Sequence, residues 1–270
     1  MKPLANMEGA TAPVLNALEI DSYIVEDNET LFKNLEYSLS LNLPTIFLAP
    51  PHEGTWVICA GGPTLKHELK QIKKHKKKGH DIISVNGSHD FLIKNGIIPD
   101  YMIMVDPKAS NQKFVKTPHP DVNYLIGGFC DPSIFDSLKG MNLRVWFPIQ
   151  GINEENKYQV PMWVGGGSTV GLRSISLGIV LGYRKVHLYG FSGCLEGEKH
   201  HAYDQPENDG KEVIDVWFQG KEYACNIWMA KQADDYIEFL RLNGHHADIT
   251  VHSEGLIKNI NDYFYKHIGE

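Results

Sequence analysis

Residues 57–65 read VICAGGPTL, and this stretch decides the fold class. An apolar run ends at two glycines and a proline, and a helical pattern follows with Leu65, Leu69 and Ile72 on one face. Glycine permits a sharp turn and close backbone approach, and proline suits a first helical turn. Because the unpaired N–H groups at a helix start attract phosphate, the stretch predicts a strand-to-helix turn at a nucleotide site.

The rest of the chain repeats this alternation of strand and helix. Short β-branched runs alternate with helical patterns, which is typical of a parallel sheet covered on both faces. We predict an α/β fold, a doubly wound, mostly parallel Rossmann-like sheet with a helical N-terminal lead-in and a C-terminal hairpin-helix extension. The predicted strands are 56–60, 82–86, 101–106, 123–126, 143–147 and 185–189, and the predicted helices between them are 64–78, 88–95, 133–138 and 169–181.

The two ends of the chain have other patterns. Leu31, Leu35 and Leu39 recur at helical spacing near the start. After a polar loop at 191–211, segments 213–217 and 222–225 predict a hairpin, followed by a helix, a strand near 249–251 and a terminal helix. We expect a lead-in at 1–51, a nucleotide-binding domain at 52–195, and an extension at 196–270 that packs on the same domain.

Composition limits the class of protein. The chain has 270 residues, 42% of them hydrophobic, enough for a large core, and its net charge of -7 argues against binding to nucleic acid. The basic run KKHKKK at 73–78 is interpreted as a solvated helix end. No leader or apolar run of bilayer length is apparent, so we expect a cytoplasmic protein without a membrane span. Four widely spaced cysteines indicate neither a zinc module nor a disulfide framework: Cys59, Cys130, Cys194 and Cys225.

Polar or glycine-rich turns follow several predicted strands. Ligands of open parallel sheets bind outside the carboxyl ends of the strands, so these turns are expected to share one site. Each turn alone is equally consistent with an ordinary turn or helix cap. The candidates are Gly61, Gly62, Pro63 and Thr64 after the first strand, Asn86 and Gly87 after the second, Asp106 after the third, and Gly190 and Ser192 after the last.

Two further segments contain residues suited to bind an anion or to accept a proton. Residues 165–172, GGGSTVGL, place Gly167, Ser168 and Thr169 at a helix start, which predicts a second anion cradle or, alternatively, a flexible loop before a capped helix. In the loop at 198–205, one of two adjacent histidines, together with Tyr203, is a candidate proton acceptor or phosphate partner. Surface polar residues are the alternative interpretation there.

Several common nucleotide motifs are missing. The chain has no G-x-x-x-x-G-K-[ST] sequence, so it is not a P-loop NTPase. The glycine turn lacks the G-x-G-x-x-G spacing and the second strand ends in Asn86, which disfavours a nicotinamide dinucleotide. An Asp-x-Asp pair, the usual metal clamp for a nucleotide diphosphate sugar, is also missing.

Four blocks resemble one family in order and spacing. GGPTL at 61–65, NGIIPD at 95–100 with Asp106, GSTVGL at 167–172 and LYGF at 188–191 look like the motility-associated-factor and archaeal hydroxymethylpterin diphosphokinase (MptE)-like domain. The resemblance covers about 56–191, with weaker similarity through 201–203. It implies a Rossmann-like nucleotide-binding transferase. Family members are linked to diphosphoryl transfer from ATP to a pterin alcohol and to transfer of nonulosonic sugars from CMP donors.

The glycine-proline block is also similar to that of bacterial sialyltransferases, where it faces the nucleotide. Gly62 stands where those proteins often have asparagine or glycine, and Thr64 stands where serine is usual, which keeps the hydroxyl.

Three functions follow from these resemblances. The favoured one is a glycosyltransferase using a CMP-activated nonulosonic (sialic-acid-like) sugar and a small-molecule or glycan acceptor, with no cofactor required. The alternative is an ATP-dependent diphosphokinase that acts on a hydroxymethylpterin-like alcohol and binds magnesium through Asp106. Asp100 is a second carboxylate, but it lies at the other end of the same predicted strand and is not expected to reach the site. The third is a non-catalytic nucleotide-binding module.

The glycosyltransferase hypothesis gives each candidate residue a role. Gly61, Gly62 and Thr64 would hold the nucleotide phosphate, and Asn86 and Ser168 would contact the nucleobase or the ribose. His201 would be the catalytic base, and Tyr203 would support the leaving phosphate.

Overall fold

The computed structural model describes residues 26–152, 157–204 and 211–267. The expectations for residues 1–25 of the lead-in and for residues 205–210 of the polar loop lie outside this part of the chain. The helices are α1 Asn28–Ser40, α2 Leu65–Lys77, α3 Ser88–Lys94, α4 Pro132–Ser137, α5 Val170–Val180, α6 Ile227–Asn243 and α7 Leu256–His267. The strands are β1 His52–Cys59, β2 Asp81–Val85, β3 Tyr101–Met104, β4 Asn123–Gly127, β5 Asn142–Pro148, β6 Trp163–Val164, β7 Tyr183–Tyr189, β8 Val213–Phe218, β9 Lys221–Asn226 and β10 Asp248–Val251.

The central sheet has eight strands in the order β10-β7-β1-β2-β3-β4-β5-β6. Neighbouring strands in it pair in parallel, for example Val57 with Ile82 on one side and with His187 on the other. Because β1 lies between β2 and β7, the chain leaves β1 toward one edge and later returns to its other side. The predicted doubly wound α/β fold is therefore confirmed.

The two faces of the sheet bury different side chains of the same strands. On one face Val57, Cys59 and Tyr189 pack with residues of α2 and α3. On the other face Trp56 and its neighbours pack with residues of α5, α6 and α7. The alternation has the two-residue period of a strand, and coverage of both faces explains why β1 is apolar nearly throughout.

The ends of the chain extend this layered core. Leu31 and Leu35 of α1 join a cluster with residues of β4 and β5. The predicted hairpin is β8-β9, whose turn residues Gln219 and Gly220 have φ values of 50° and 73°. Two successive positive φ values match the two-residue turn that suits the twist of paired strands. The C-terminal β10 then pairs with β7, so the extension contributes the last strand of the main sheet.

Some of the described short elements were not predicted, among them a strand and two 3-10 helices, one of which is Gly244–His246. Strand β6 has only two residues, Trp163 and Val164, too short for periodicity to reveal. A 3-10 helix at Ala109–Val115 follows β3 in a polar stretch. Within the described ranges, none of the helices combines the length and apolarity that a bilayer crossing requires. All four cysteines are free thiols in the structure.

Candidate functional site

The predicted site residues lie at the carboxyl edge of the parallel sheet. The turn at 61–64 follows β1, the turn at 86–87 follows β2, Asp106 lies two residues beyond β3, and the turn at 190–192 follows β7. The segment at 167–169 precedes α5, and Gly171 in the first turn of α5 packs against Phe191, so the start of α5 lies beside the turn after β7. The sheet topology thus brings residues from distant parts of the sequence together.

Gly62 and Gly190 allow the turns after β1 and β7 to touch. The Gly62 N–H donates to the Gly190 carbonyl at 2.9 Å. A Cβ at position 62 would overlap that carbonyl, and a Cβ at position 190, where φ is +69°, would overlap the Ala60 carbonyl. Both glycines are required for this packing, and the Gly62 amide already has an acceptor within the protein.

A half-buried carboxylate supports the same turn. Glu68 accepts a hydrogen bond from the Gly190 N–H at 2.7 Å, and its own desolvation raises the pKa of this carboxyl group. The Thr64 hydroxyl lies 3.0 Å from the Ser192 hydroxyl, which joins the turns after β1 and β7 a second time. We did not predict Glu68, although a charged residue on the helix face of Leu65 and Ile72 was a usable sign.

The segment 201–203 lies over the turns after β1 and β2. The Ala202 N–H donates to the Gly61 carbonyl at 3.0 Å. A Cβ at Gly61 would lie 2.8 Å from the His201 ring, and a Cβ at Gly87 would lie 2.7 Å from the Tyr203 ring. These two glycines therefore make room for the His201 and Tyr203 side chains.

Polar contacts fix the path of this loop. Glu196 forms an ion pair with Lys66 of α2 at 2.5 Å and contacts His67 at 3.0 Å. The His200 ring lies 3.0 Å from the side-chain amide of Asn226, which caps α6. The two adjacent histidines therefore project differently, and His201 is the one that faces the glycine turn.

Tyr203 is positioned as a hydrogen-bond donor. Its ring centroid lies 5.8 Å from that of Phe91 and 5.7 Å from that of His201. Desolvation raises the pKa of the Tyr203 hydroxyl well above its ordinary value. Like any tyrosine hydroxyl at neutral pH, the phenol is protonated, and it can donate to an anion.

Two side-chain amide atoms near this edge lack a partner in the described structure. Asn86 has a φ of +47° directly after β2, and its Oδ1 atom is buried without a hydrogen bond. Asn111, in the 3-10 helix after β3, is 8% exposed and has a buried, unpaired Nδ2. An unpaired buried polar atom costs about 1–3 kcal/mol, so each is suited to pair with a bound molecule. Asn111 had no distinguishing sign in the sequence.

Asp106 and Asp100 lie at opposite ends of β3. Asp106 is half-buried at the carboxyl edge, where its Oδ1 accepts from the Lys108 N–H at 3.1 Å. Asp100 precedes the strand and accepts from Lys76 at 2.6 Å and from the Ile82 N–H at 2.8 Å. Asp106 alone therefore reaches the candidate site. Among the described residues it belongs to no group of three potential metal-binding side chains.

The helix start at α5 already holds a carboxylate. Gly166 and Gly167 have φ values of +136° and +74°, and the Ser168 N–H donates to Asp235 at 2.8 Å. Thr169 caps the helix by accepting from the Leu172 N–H at 3.3 Å. The Ser168 N–H is therefore occupied by a side chain of α6, and a ligand contact of this segment stays a prediction.

Comparison with known proteins gives a family match and a similar solved structure. Residues 29–197, more than half of the chain, match the family described as 6-hydroxymethylpterin diphosphokinase MptE-like. The MAf glycosyltransferase from Magnetospirillum magneticum AMB-1 has a similar solved structure, with a TM-score of 0.62 and 17% sequence identity. The similarity covers 84% of this chain and 36% of the other, so this chain spans about a third of that protein. A search among curated proteins found no match.

The structural likeness is one of fold, since the identity is low. The family match covers all four blocks on which the resemblance rested, namely 61–65, 95–100 with Asp106, 167–172 and 188–191. The chain therefore belongs to the 6-hydroxymethylpterin diphosphokinase MptE-like family.

Proposed function

We propose that this protein transfers a nonulosonic (sialic-acid-like) sugar from a CMP-activated donor bound at the carboxyl edge of the sheet. The observation that carries the proposal is the packing of residues 201–203 on Gly61 and Gly87. It places an imidazole and a protonated phenol beside two strand ends where a nucleotide phosphate is expected. Membership of the MptE-like family and the fold shared with a MAf glycosyltransferase support a transferase.

The proposed reaction is a displacement at the anomeric carbon of the sugar. The bond from this carbon to the phosphate oxygen breaks, a bond to the acceptor oxygen forms, and CMP leaves with the bonding electrons. His201 would accept the proton of the acceptor hydroxyl, and Tyr203 would donate a hydrogen bond to the departing phosphate. The unpaired Asn86 Oδ1 would accept a hydrogen bond from the base or ribose.

The second candidate is ATP-dependent diphosphoryl transfer to a hydroxymethylpterin-like alcohol. It is favoured by the family description and by the position of Asp106 at the carboxyl edge. Magnesium commonly binds through one or two carboxylates together with substrate phosphates, so a single Asp106 fits that ion. When bound, magnesium would neutralise charge on the transferring phosphates.

The first experiment is a thermal shift series with CMP, CMP-sialic acid, GTP and ATP, each with magnesium and with a chelator. A ligand that prefers the folded state raises the melting temperature. We expect CMP and its sugar to do so equally under both conditions. A shift with ATP that requires magnesium would favour the diphosphokinase, and no shift with any nucleotide would refute both.

The second experiment separates the roles of two neighbouring histidines. His201→Ala is expected to reduce sugar transfer at least about 100-fold, the usual contribution of a general base, while CMP still binds. His200→Ala is the matched control, since this ring contacts Asn226 instead of the glycine turn, and should keep most of the activity. Equal activity of both variants would exclude His201 as the base. Nucleotide binding without transfer to any acceptor would indicate a non-catalytic module.

A further inference from the structure

A group of histidines lies away from the candidate nucleotide site, on the sheet face covered by α2. His75 lies near the end of α2, His187 in β7, and His252 directly after β10. In the sheet, His187 pairs with Val57, four residues before Gly61 along β1. At about 3.3 Å per residue this is roughly 13 Å from the level of the glycine turn. The cluster is therefore separate from the proposed transfer chemistry.

The three rings are close enough to share one ion. One ligand atom from each of His75, His187 and His252 lies within 4.8 Å of the other two. The ring centroids of His75 and His187 are 4.6 Å apart, and those of His187 and His252 are 5.0 Å apart. Nitrogens bound to one tetrahedral zinc at 2.0–2.1 Å are about 3.3 Å apart. His187 Nδ1 lies 2.9 Å from His252 Nε2, so an ion bound by these two atoms would replace the hydrogen bond that now joins the rings.

Neighbouring groups orient these rings. The two nitrogens of His75 contact His80 Nδ1 at 2.8 Å and the Tyr189 hydroxyl at 3.0 Å. His252 stacks on Tyr189 with ring centroids 4.4 Å apart and an angle of 3° between the rings. Binding of a metal through either His75 nitrogen would leave the other contact in place. Such an outer hydrogen bond commonly fixes the orientation of a ligating histidine.

The protonation state of the cluster suits a metal. Burial, with repulsion from the neighbouring histidines, lowers the pKa of His75 to about 4, and burial with repulsion from His187 lowers that of His252 to about 4. Burial also lowers the pKa of His187. A neutral imidazole has the free lone pair that a metal requires.

We propose that His75, His187 and His252 form a binding site for one divalent transition-metal ion of the zinc type, held between α2, β7 and β10. Imidazole ligands favour zinc, cobalt, nickel or copper over magnesium or calcium. Three protein ligands leave a fourth position for water, as in open zinc sites. The ion would join α2 to β7 and to the residue directly after β10, two neighbouring positions of the central sheet.

Cobalt and zinc are the probes for this site. The full-length protein is treated with a chelator, dialysed, and titrated with Co²⁺ while visible absorption is recorded, and then with Zn²⁺ by calorimetry. We expect one ion per chain, and a higher melting temperature with Zn²⁺. His187→Gln and His252→Gln should each weaken binding by at least about 100-fold, more than loss of an outer partner usually costs.

A surface histidine pair provides the matched control. His245 and His246 are exposed and adjacent, with ring centroids 3.9 Å apart. The double variant His245→Gln/His246→Gln should bind cobalt as the original chain does. The proposal is overturned if the original chain binds no stoichiometric ion, if this double variant loses it, or if both cluster variants retain it.

Folding and nucleotide binding are checked separately. Far-ultraviolet circular dichroism of the metal-free variants shows whether they fold, and Tyr189→Phe, which keeps all three rings, should still bind the ion. The melting shift caused by CMP should be unchanged in His187→Gln. Failure of the metal site and failure of the proposed transferase are thus distinguishable.

Discussion

Asn86 combines backbone strain with an unpaired polar atom at the end of β2. Its φ of +47° is uncommon for a residue other than glycine, and its Oδ1 lacks a partner within the described structure. Both features lower the stability of the folded chain, so folding by itself does not account for an asparagine at this position. We therefore interpret the side chain as serving a ligand, and the substitution to glycine tests this because glycine adopts positive φ readily.

Asn86→Gly is expected to leave stability unchanged or to raise it by up to about 1 kcal/mol, because strain and an unpaired atom are removed. CMP binding should weaken about tenfold, equivalent to about 1.4 kcal/mol. Urea unfolding and calorimetry measure the two effects. The matched control is Asn42→Gly, an exposed residue with a φ of 49° just after α1. Unchanged CMP affinity in Asn86→Gly would remove this residue from the site.

The sequence identified some site residues better than others. His201 and Tyr203 stood out because their loop follows the last predicted strand before the hairpin, and the structure places both over the glycine turn. Asn111 could not be found, since its burial depends on a 3-10 helix that a polar stretch does not predict. Gly62 and Gly190 were predicted to contact a ligand. The hydrogen bond between them joins turns that are far apart in the sequence, so a local sequence pattern cannot predict it.

At the level of secondary-structure elements, the turns after β1 and β7 are joined by the hydrogen bond between Gly62 and Gly190. Gly190→Ala would place a methyl group against the Ala60 carbonyl at a φ of +69°. We expect it to lower the free energy of unfolding by about 2 kcal/mol more than Gly79→Ala, because overpacking adds to the backbone strain. Gly79 is a matched control, with a φ of +76° and no atom within 4 Å of an added Cβ.

Urea unfolding of the two glycine variants gives the comparison directly. Equal losses would mean that only the left-handed backbone matters at position 190. A larger loss at 190, accompanied by weaker CMP binding, would connect the packing of these turns to the candidate site.

The main elements were predictable because their periodicities are strong. The helices between strands agree with the structure to within about one residue, and the apolar runs of β1, β2, β4 and β7 mark their strands. The start of β1 was placed too late because His52 and Glu53 are exposed and polar, and His52 belongs to the sheet through its pairing with Tyr183 of β7. Strand β6 depends in the same way on its neighbour β5. The bounds of these strands therefore depend on their pairing partners, which a local sequence pattern does not reveal.

At the scale of the whole molecule, buried histidine makes stability depend on pH. His89 is fully buried, contacts Asp90 at 2.8 Å and Tyr124 at 3.2 Å, and desolvation lowers its pKa from 6.5. The unfolded chain then binds a proton more readily than the folded one below pH 6.5. Acidification through this range therefore lowers the free energy of unfolding.

His89→Gln should flatten this dependence between pH 7 and pH 5, by up to about 1.4 kcal/mol per pH unit for one proton. The slope is informative even if the variant is less stable overall. Urea unfolding at a series of pH values measures it, and substitution of the exposed His246 by Gln is the matched control. A slope identical to that of the original chain would mean that His89 is protonated equally in both states.

The family match ends at residue 197, close to the domain boundary expected at 195, yet contacts of the central sheet continue beyond it. Strand β10 pairs with β7, and the Phe191 N–H donates to the Ser253 hydroxyl at 2.9 Å, so the turn after β7 is held by the extension. Residues of β7, α6 and α7 share one apolar cluster. Loss of the extension would expose one edge of β7 and part of the core.

A chain ending at residue 195 is accordingly expected not to fold cooperatively. Without residues 196–270, β7 loses its pairing with β10, and apolar side chains that α6 and α7 now bury become exposed to water. Near-ultraviolet circular dichroism and urea unfolding should show no fixed tertiary packing and no sharp transition. Addition of a separate fragment containing residues 196–270 should restore both signals, since the lost contacts are non-covalent. A cooperative transition of the shortened chain alone would mean that residues 196–270 form an accessory layer, and that the turn after β7 keeps its conformation without Ser253.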